Sequence, residues 1–265
     1  METLQIGTVV KQVPSTWNEL RRRQLLQVLA ELYSAPDPAR RLRLLSLLTG
    51  FRPLVLTALP LDVLAQLLPL TDWLTSAAHL LTEQLLPTLH LPGRHVSERP
   101  TTWHGPLGQF RNLLFGEFIF ADTFFVLYCL HRRPEYLDQF LATLYRPARR
   151  EASPARADWT GDMRLPFNEH QLEARTPRVA LLPTLEKLAV VTWYRGCRAQ
   201  LAQEFPDVFV AADQAATAAN QAPDWSRVLR KLSGGAFGTV AQTANQPLRL
   251  VLAEMQDVAS APKPR

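Results

Sequence analysis

The chain has 265 residues, 47% of them hydrophobic and 20% charged, with a net charge of +5 and a pI near 9.5. That is enough to bury a core as one large domain or two small ones, and it excludes a wholly disordered chain. Eleven Gly against 21 Pro exclude a collagen-like or Gly-rich linker array, and two cysteines, Cys129 and Cys197, exclude a disulfide scaffold.

Leu is about one residue in six, and only four of the 29 basic residues are Lys. Leu-rich composition with few β-branched residues points to helices. The Arg are scattered, as in Arg21 to Arg23, Arg40, Arg41, Arg43, Arg146, Arg149 and Arg150, and form no basic stripe with interleaved aromatics. They are expected on outer helix faces and loops, and nucleic-acid binding is not the expected main function. The first residues, Met1-Glu2-Thr3-Leu4, lack a basic region followed by an apolar run, so no secretory signal is expected.

Residues 3–6 and 9–13 flank Gly7-Thr8 and predict a β-hairpin that ends at Pro14. Thr16 and Glu19 have capping-box spacing and predict a helix start. Leu25, Val28, Leu29 and Leu32 continue that helix on one face until Ser34-Ala35-Pro36. Asp37-Pro38 restarts a helix that ends at Gly50. Residues 51–60 look irregular. Leu61 to Leu89 predicts one or two helices broken at Pro69, with Asp72 able to restart the second.

Residues 90–108 hold six Pro or Gly and three of the six His, and predict a long loop or exposed hairpin. A helix follows at about 109–131. Its segment Leu113 to Leu130 has 18 residues, near the lower limit for a membrane span. It carries Glu117 and Asp122, each costing about 2.5–3.5 kcal/mol near a bilayer centre. A central helix buried on nearly all faces is therefore expected, with no integral span. Pro134 opens the next helix.

Residues 146–162 are Pro-, Ala- and Arg-rich and make the best boundary between a region 1–145 and a region 163–260, which could also pack as one domain. Thr176-Pro177 predicts a helix cap, Pro183 an interruption, and Thr184 to Glu204 a continuation. Residues 211–222 form a low-complexity joint. Two final helices are expected at about 224–233 and 246–257, before a frayed tail at 261–265. The predicted fold is mainly α, an irregular multi-helix orthogonal bundle with a small N-terminal β-hairpin.

No chemical signature stands out. His90, His95 and His104 match no zinc spacing, and there is no HExxH, CxxC or GxSxG. No metal, cofactor or catalytic residue is assigned. Cys197 lies between Arg195 and Arg198, which could lower its pKa, but on an apolar helix where an inert buried thiol is expected. Gly196 suggests a close helix–helix contact. Ser233 to Thr239 is Gly-rich but lacks the P-loop ending, so a helix-to-helix turn is expected. Glu117 and Asp122 are five apart, off one face, and each is expected to pair with an Arg or cap a neighbouring helix. Trp103 and Trp159 fall in predicted loops, where each is either an interface anchor or folded back and buried.

The hairpin followed by Pro14-x-x-Trp17-Asn18-Glu19 and a helix with Gln24 resembles the start of small phage proteins encoded among tail and virion-assembly genes. Trp225-Ser226-Arg227-Val228-Leu229 through Leu252-Ala253-Glu254-Met255, with the turn Ser233-Gly234-Gly235-Ala236-Phe237-Gly238, resembles their last helices. The resemblance covers about a quarter of the chain. It implies a non-enzymatic phage or prophage protein of the bacterial cytoplasm or virion, similar to a tail assembly chaperone. Its partners would be a tape-measure or other tail protein, or a second copy in a homo-oligomer. Trp17, Asn18, Glu19 and Gln24, with Trp103 and Trp159, are then the candidate partner-binding residues. Two alternatives stand beside it: a nucleic-acid-associated helical protein using scattered Arg, and a hydrolase built around the 90–104 loop.

Overall fold

The computed structural model describes residues 1–93, 95, 97–150, 153, 155, 159, 161–210, 222–235 and 237–260. The expected joint at 211–222 (apart from residue 222), the tail at 261–265 and much of 151–160 lie outside the described residues. The fold is mainly α with a small N-terminal antiparallel sheet, as the composition predicts. It divides into two compact units, residues 1–85 with 184–197, and residues 86–183 with 198–265.

The first unit opens on strands β1 (Glu2–Ile6) and β2 (Val9–Val13), paired antiparallel with Ile6 opposite Val9. The two-residue turn between them puts Gly7 at a φ of +58°, where a residue without Cβ avoids strain. An isolated two-stranded sheet is marginal in water. This one packs Leu4 and Ile6 onto a core of Leu45, Leu56 and Leu67. Helices α1 (Arg22–Tyr33) and α2 (Arg40–Thr49) follow, the first ending before Pro36 and the second at Gly50, which takes a left-handed φ of +69°. Asp37 accepts a hydrogen bond from Ala39 N at 2.8 Å and so satisfies one free donor at the start of α2.

Three expectations in this unit need correction. No helix starts at Thr16: Glu19 instead accepts from Ser15 N at 2.8 Å, and Trp17–Glu19 forms only a 3-10 turn. The cap of α1 is Gln24, whose side-chain oxygen accepts from Arg21 N at 3.1 Å. Residues 51–60 are not wholly irregular, since Pro53 at a helix start allows α3 (Pro53–Thr57). After α4 (Leu61–Leu67) and a 3-10 stretch Leu68–Leu74, no second helix forms. Asp72 pairs with Arg41 at 2.6 Å instead of capping.

Residues 75–85 are held by side chains in place of a helical ladder. The Asn18 amide oxygen accepts from Thr82 N at 2.9 Å and Glu83 N at 3.0 Å, while its nitrogen donates to Thr82 Oγ1 at 3.0 Å. Helix α8 (Thr184–Glu204) supplies residues 184–197 to this unit. From it, Trp193 Nε1 and Cys197 Sγ both donate to Thr82 O, at 3.1 and 3.3 Å. Gly196 lies so close to this segment that a Cβ would stand 2.2 Å from Leu81 O. Its contact is therefore with an irregular backbone segment and not with a second helix.

The second unit holds a three-stranded antiparallel sheet of β3 (Thr88–Leu91), β4 (Thr101–His104) and β5 (Arg146–Pro147). The His-rich stretch is thus a hairpin, and Trp103 is a buried strand residue opposite Leu89 and Pro147. The stretch expected to be a linker begins as β5, and residues 147–149 pair with 163–165 through Leu165 N to Pro147 O and Arg149 N to Met163 O, both 2.8 Å. Helix α5 (Phe115–His131) is buried on nearly all sides from Phe115 to Asp122 but emerges at Cys129 and Leu130. Among the described residues no helix is long and apolar enough to cross a membrane. Helix α6 (Pro134–Leu144) packs beside it, and α7 (Leu172–Ala180) packs against α6. Helix α7 starts four residues before the expected Thr176-Pro177 cap and carries Pro177 inside. The last helices are α9 (Trp225–Leu232), α10 (Val240–Ala244) and α11 (Leu248–Ser260).

Candidate functional site

Buried charge is concentrated in the second unit. Glu117, in the first turn of α5, is 1% exposed, and Arg146 and Arg164 are each 2% exposed. Arg146 Nη1 donates to Glu117 Oε1 at 2.7 Å and its Nη2 to Oε2 at 3.3 Å. Arg164 Nη1 also donates to Oε1, and its Nη2 to Oε2 at 3.2 Å. The remaining donors reach Leu165 O, Thr143 O and Leu144 O at 2.7–2.9 Å. Asp162 takes the other side of Arg164, with Nε at 2.9 Å and Nη2 at 2.8 Å. Burial works against the Asp162 carboxylate, but the hydrogen bonds and charge of Arg164 overcome it and hold its pKa below the ordinary value. Burial likewise opposes the charge of Arg164, yet Glu117 and Asp162 raise its pKa.

The pairing of residues 147–149 with 163–165 explains this geometry, because it carries Arg146 and Arg164 inward on adjacent strands. The expectation that these arginines lie on outer faces is therefore overturned for Arg146, Arg164 and Arg175, all buried. Both oxygens of Glu117 are committed to guanidinium donors, which suits a structural carboxylate and not a general base.

Asp122, fully buried one turn and a half further along α5, has a separate set of partners. It accepts from Arg198 Nε and from Trp225 Nε1, both at 2.7 Å. Trp225 also meets Phe118 and Phe209 edge to face, with ring centroids 5.3 and 5.8 Å apart. The five-residue spacing thus divides the two carboxylates between two networks.

Next to the Glu117 cluster is a cleft of about 1090 Å³ between α5, residues 165–171, α9 and α10. Its walls are mostly apolar, with Phe120, Phe124, Phe167, Leu229 and Val240 prominent. Phe120 and Phe167 meet in a tilted arrangement with centroids 5.3 Å apart. Gly116 lets α10 come close, since a Cβ there would stand 3.0 Å from Ala244 Cβ. The turn from α9 to α10 is closed by Gly234 N to Gly238 O at 2.7 Å, with Gly234 and Gly238 at positive φ. A capping box of Thr239 and Gln242 starts α10. Residue 236 of this turn lies outside the described residues.

A second feature belongs to the first unit. Helices α3 and α4 leave Leu54 81%, Val55 47% and Leu61 84% exposed. Three large apolar side chains in eight residues exceed the scattered surface leucine that needs no explanation.

Trp17, Asn18, Glu19 and Gln24 have internal partners. Trp17 is buried and meets Trp73 edge to face at 5.6 Å. Asn18 holds residues 82–83, Glu19 bonds Ser15 and the N-terminal amine, and Gln24 caps α1. Those four fall in the first unit. Trp103 and Trp159 fall in the second, Trp103 buried in β4 and Trp159 half-buried. The amine and the hydrogen bond to Ser15 N lower the Glu19 pKa to about 2.

His90 Nδ1 lies 3.1 Å from Thr102 Oγ1 across the β3–β4 hairpin. Among the described residues no group of three His, Cys, Asp or Glu is arranged to hold a metal ion. Cys197 is buried and Cys129 exposed. The apolar cleft and the buried arginine–carboxylate cluster beside it were missed from sequence; the charges of α5 were the only signal, and the partners of Glu117 lie 29 and 47 residues away.

Among the described residues, fold and sites define a mainly α-helical chain with an open apolar cleft, an exposed apolar ridge and buried carboxylates held by arginines. Comparison with protein-family models, curated proteins and solved structures finds no match to the chain.

Proposed function

We propose that the chain is a phage or prophage assembly protein without catalytic activity, holding an apolar segment of a tail protein in the bacterial cytoplasm before assembly. The observation that carries this is the exposure of Leu54, Val55 and Leu61 on α3 and α4. Exposed clustered apolar groups cost solvation free energy unless a partner covers them, and they mark interaction surfaces. The resemblance of the opening Pro14-x-x-Trp17-Asn18-Glu19 segment and of the closing helices to tail-region proteins supplies the kind of partner. The engagement of Glu117 and Asp122 by arginines and Trp225 supports a binding role over a catalytic one.

The test is co-expression with a phage tape-measure or other tail protein. A soluble complex that keeps the partner from aggregating is expected. A chain that purifies alone while the partner precipitates contradicts the proposal. A chain whose ridge is buried in its own homo-oligomer, measured by sedimentation, also contradicts it.

A further inference from the structure

Arg175 is the one buried arginine of the second unit described above without a carboxylate. It is 7% exposed. Its Nη2 donates to the side-chain oxygen of Gln171, and its Nη1 has no hydrogen-bond partner among the described residues. A buried donor left unpaired costs about 1–3 kcal/mol, and more when charged. Burial, and secondarily the like charge of Arg146, pull its pKa below the ordinary arginine value.

Arg175 does not itself line the cleft and meets it through Gln171. Gln171 lines the cleft and is exposed, so its neutral amide is a cover that a change of rotamer removes. Arg146 stands on the other side, with its guanidinium 5.9 Å from the ring of Phe167, another cleft residue. Glu117 and Asp162 are already matched by Arg146 and Arg164. Arg175 therefore adds a third guanidinium to two carboxylates. The charged groups that line the cleft are Glu117, whose two oxygens are taken by Arg146 and Arg164, and Glu169, His170 and Arg230, which are exposed.

The geometry points to a binding site for a small amphiphilic carboxylate, with an apolar body along Phe120, Phe124 and Leu229 and its acid group replacing Gln171 on Arg175. The volume is at the upper end for a small-molecule cleft, with an apolar lining and few polar anchors. A carboxylate would accept from both Nη atoms in the forked geometry that guanidinium favours. This site is separate from the α3–α4 ridge, and its failure would leave the assembly role untouched.

The probe is dodecanoate below its micelle concentration, compared with dodecanol, by titration calorimetry on the full chain. Dodecanoate is expected to bind at least tenfold more tightly than dodecanol. Arg175→Met should abolish that preference, Arg175→Lys should retain part of it, and Arg230→Met should change it less than twofold. Ala241→Trp, which fills the cleft without touching the arginines, should weaken both probes; circular dichroism checks that each variant is folded. Equal binding of the two probes, no binding of dodecanoate, or a preference carried by Arg230 would each overturn the proposal.

Discussion

Glu117→Gln is expected to destabilise the second unit by about 3–5 kcal/mol, the range for breaking a buried ion pair by removing one partner. The substitution keeps the shape of the side chain and removes its charge. Arg146 and Arg164, both 2% exposed, would then face each other with only Asp162 to balance them. The measurement is the denaturant midpoint of the purified variant against the parent chain. Replacing the whole cluster core, as Glu117→Leu with Arg146→Met and Arg164→Met, should recover much of the loss, because apolar packing avoids desolvating the ions. A single variant as stable as the parent would show that the cluster contributes nothing. The same cluster contributes to the acid dependence of stability. The lowered Asp162 pKa contributes stability that is fully present above the unfolded carboxylate value of about 3.9. That contribution disappears as pH falls through the lowered native value.

Trp225→Ala is expected to cost about 3–5 kcal/mol, the range for truncating a buried aromatic. Trp225 is 1% exposed and anchors α9 against Phe118 and Phe209. Its indole also supplies one of the two donors at 2.7 Å to the fully buried Asp122. Trp225→Phe separates these roles. It keeps most ring contacts and loses the donor, so about 1–3 kcal/mol is expected. Thermal unfolding followed by near-ultraviolet circular dichroism measures both. A loss below about 1 kcal/mol for the alanine variant would contradict the packing described.

The helices were legible where local chemistry decides them. Pro36, Gly50, Pro134 and Pro183 each mark a boundary that the structure keeps to within a few residues. Those signals act through the backbone of one or two residues and need no tertiary partner. The 75–85 segment was not legible, because Asn18, more than sixty residues away, supplies its backbone partners. The β3–β4–β5 sheet was hidden for a similar reason. Its third strand is two residues long and comes 42 positions after β4. Thr16 and Glu19 had the spacing of a cap, but Ser15 and the N-terminal amine compete for the same carboxylate.

The candidate site was less legible still. Arg146 stands in a Pro- and Arg-rich stretch that composition alone marks as solvated linker. Only its register on β5, beside residues 163–165, turns it inward. The cleft depends on a close approach of α5 and α10 at Gly116 and Ala244, 128 residues apart. The exposed ridge was hidden for the opposite reason. Leu54 and Leu61 sit in an apolar run whose pattern does not say which leucines point outward, and Leu56 and Leu67 of the same run are buried.

The proposed assembly role is tested most directly by changing that ridge. In co-expression with a phage tape-measure protein, the proposed partner, Leu54→Asp with Leu61→Asp should reduce recovery of the soluble complex at least tenfold. Both side chains are more than 80% exposed, so the monomer should keep its unfolding midpoint. Unchanged recovery of the complex by the folded double variant would contradict the account.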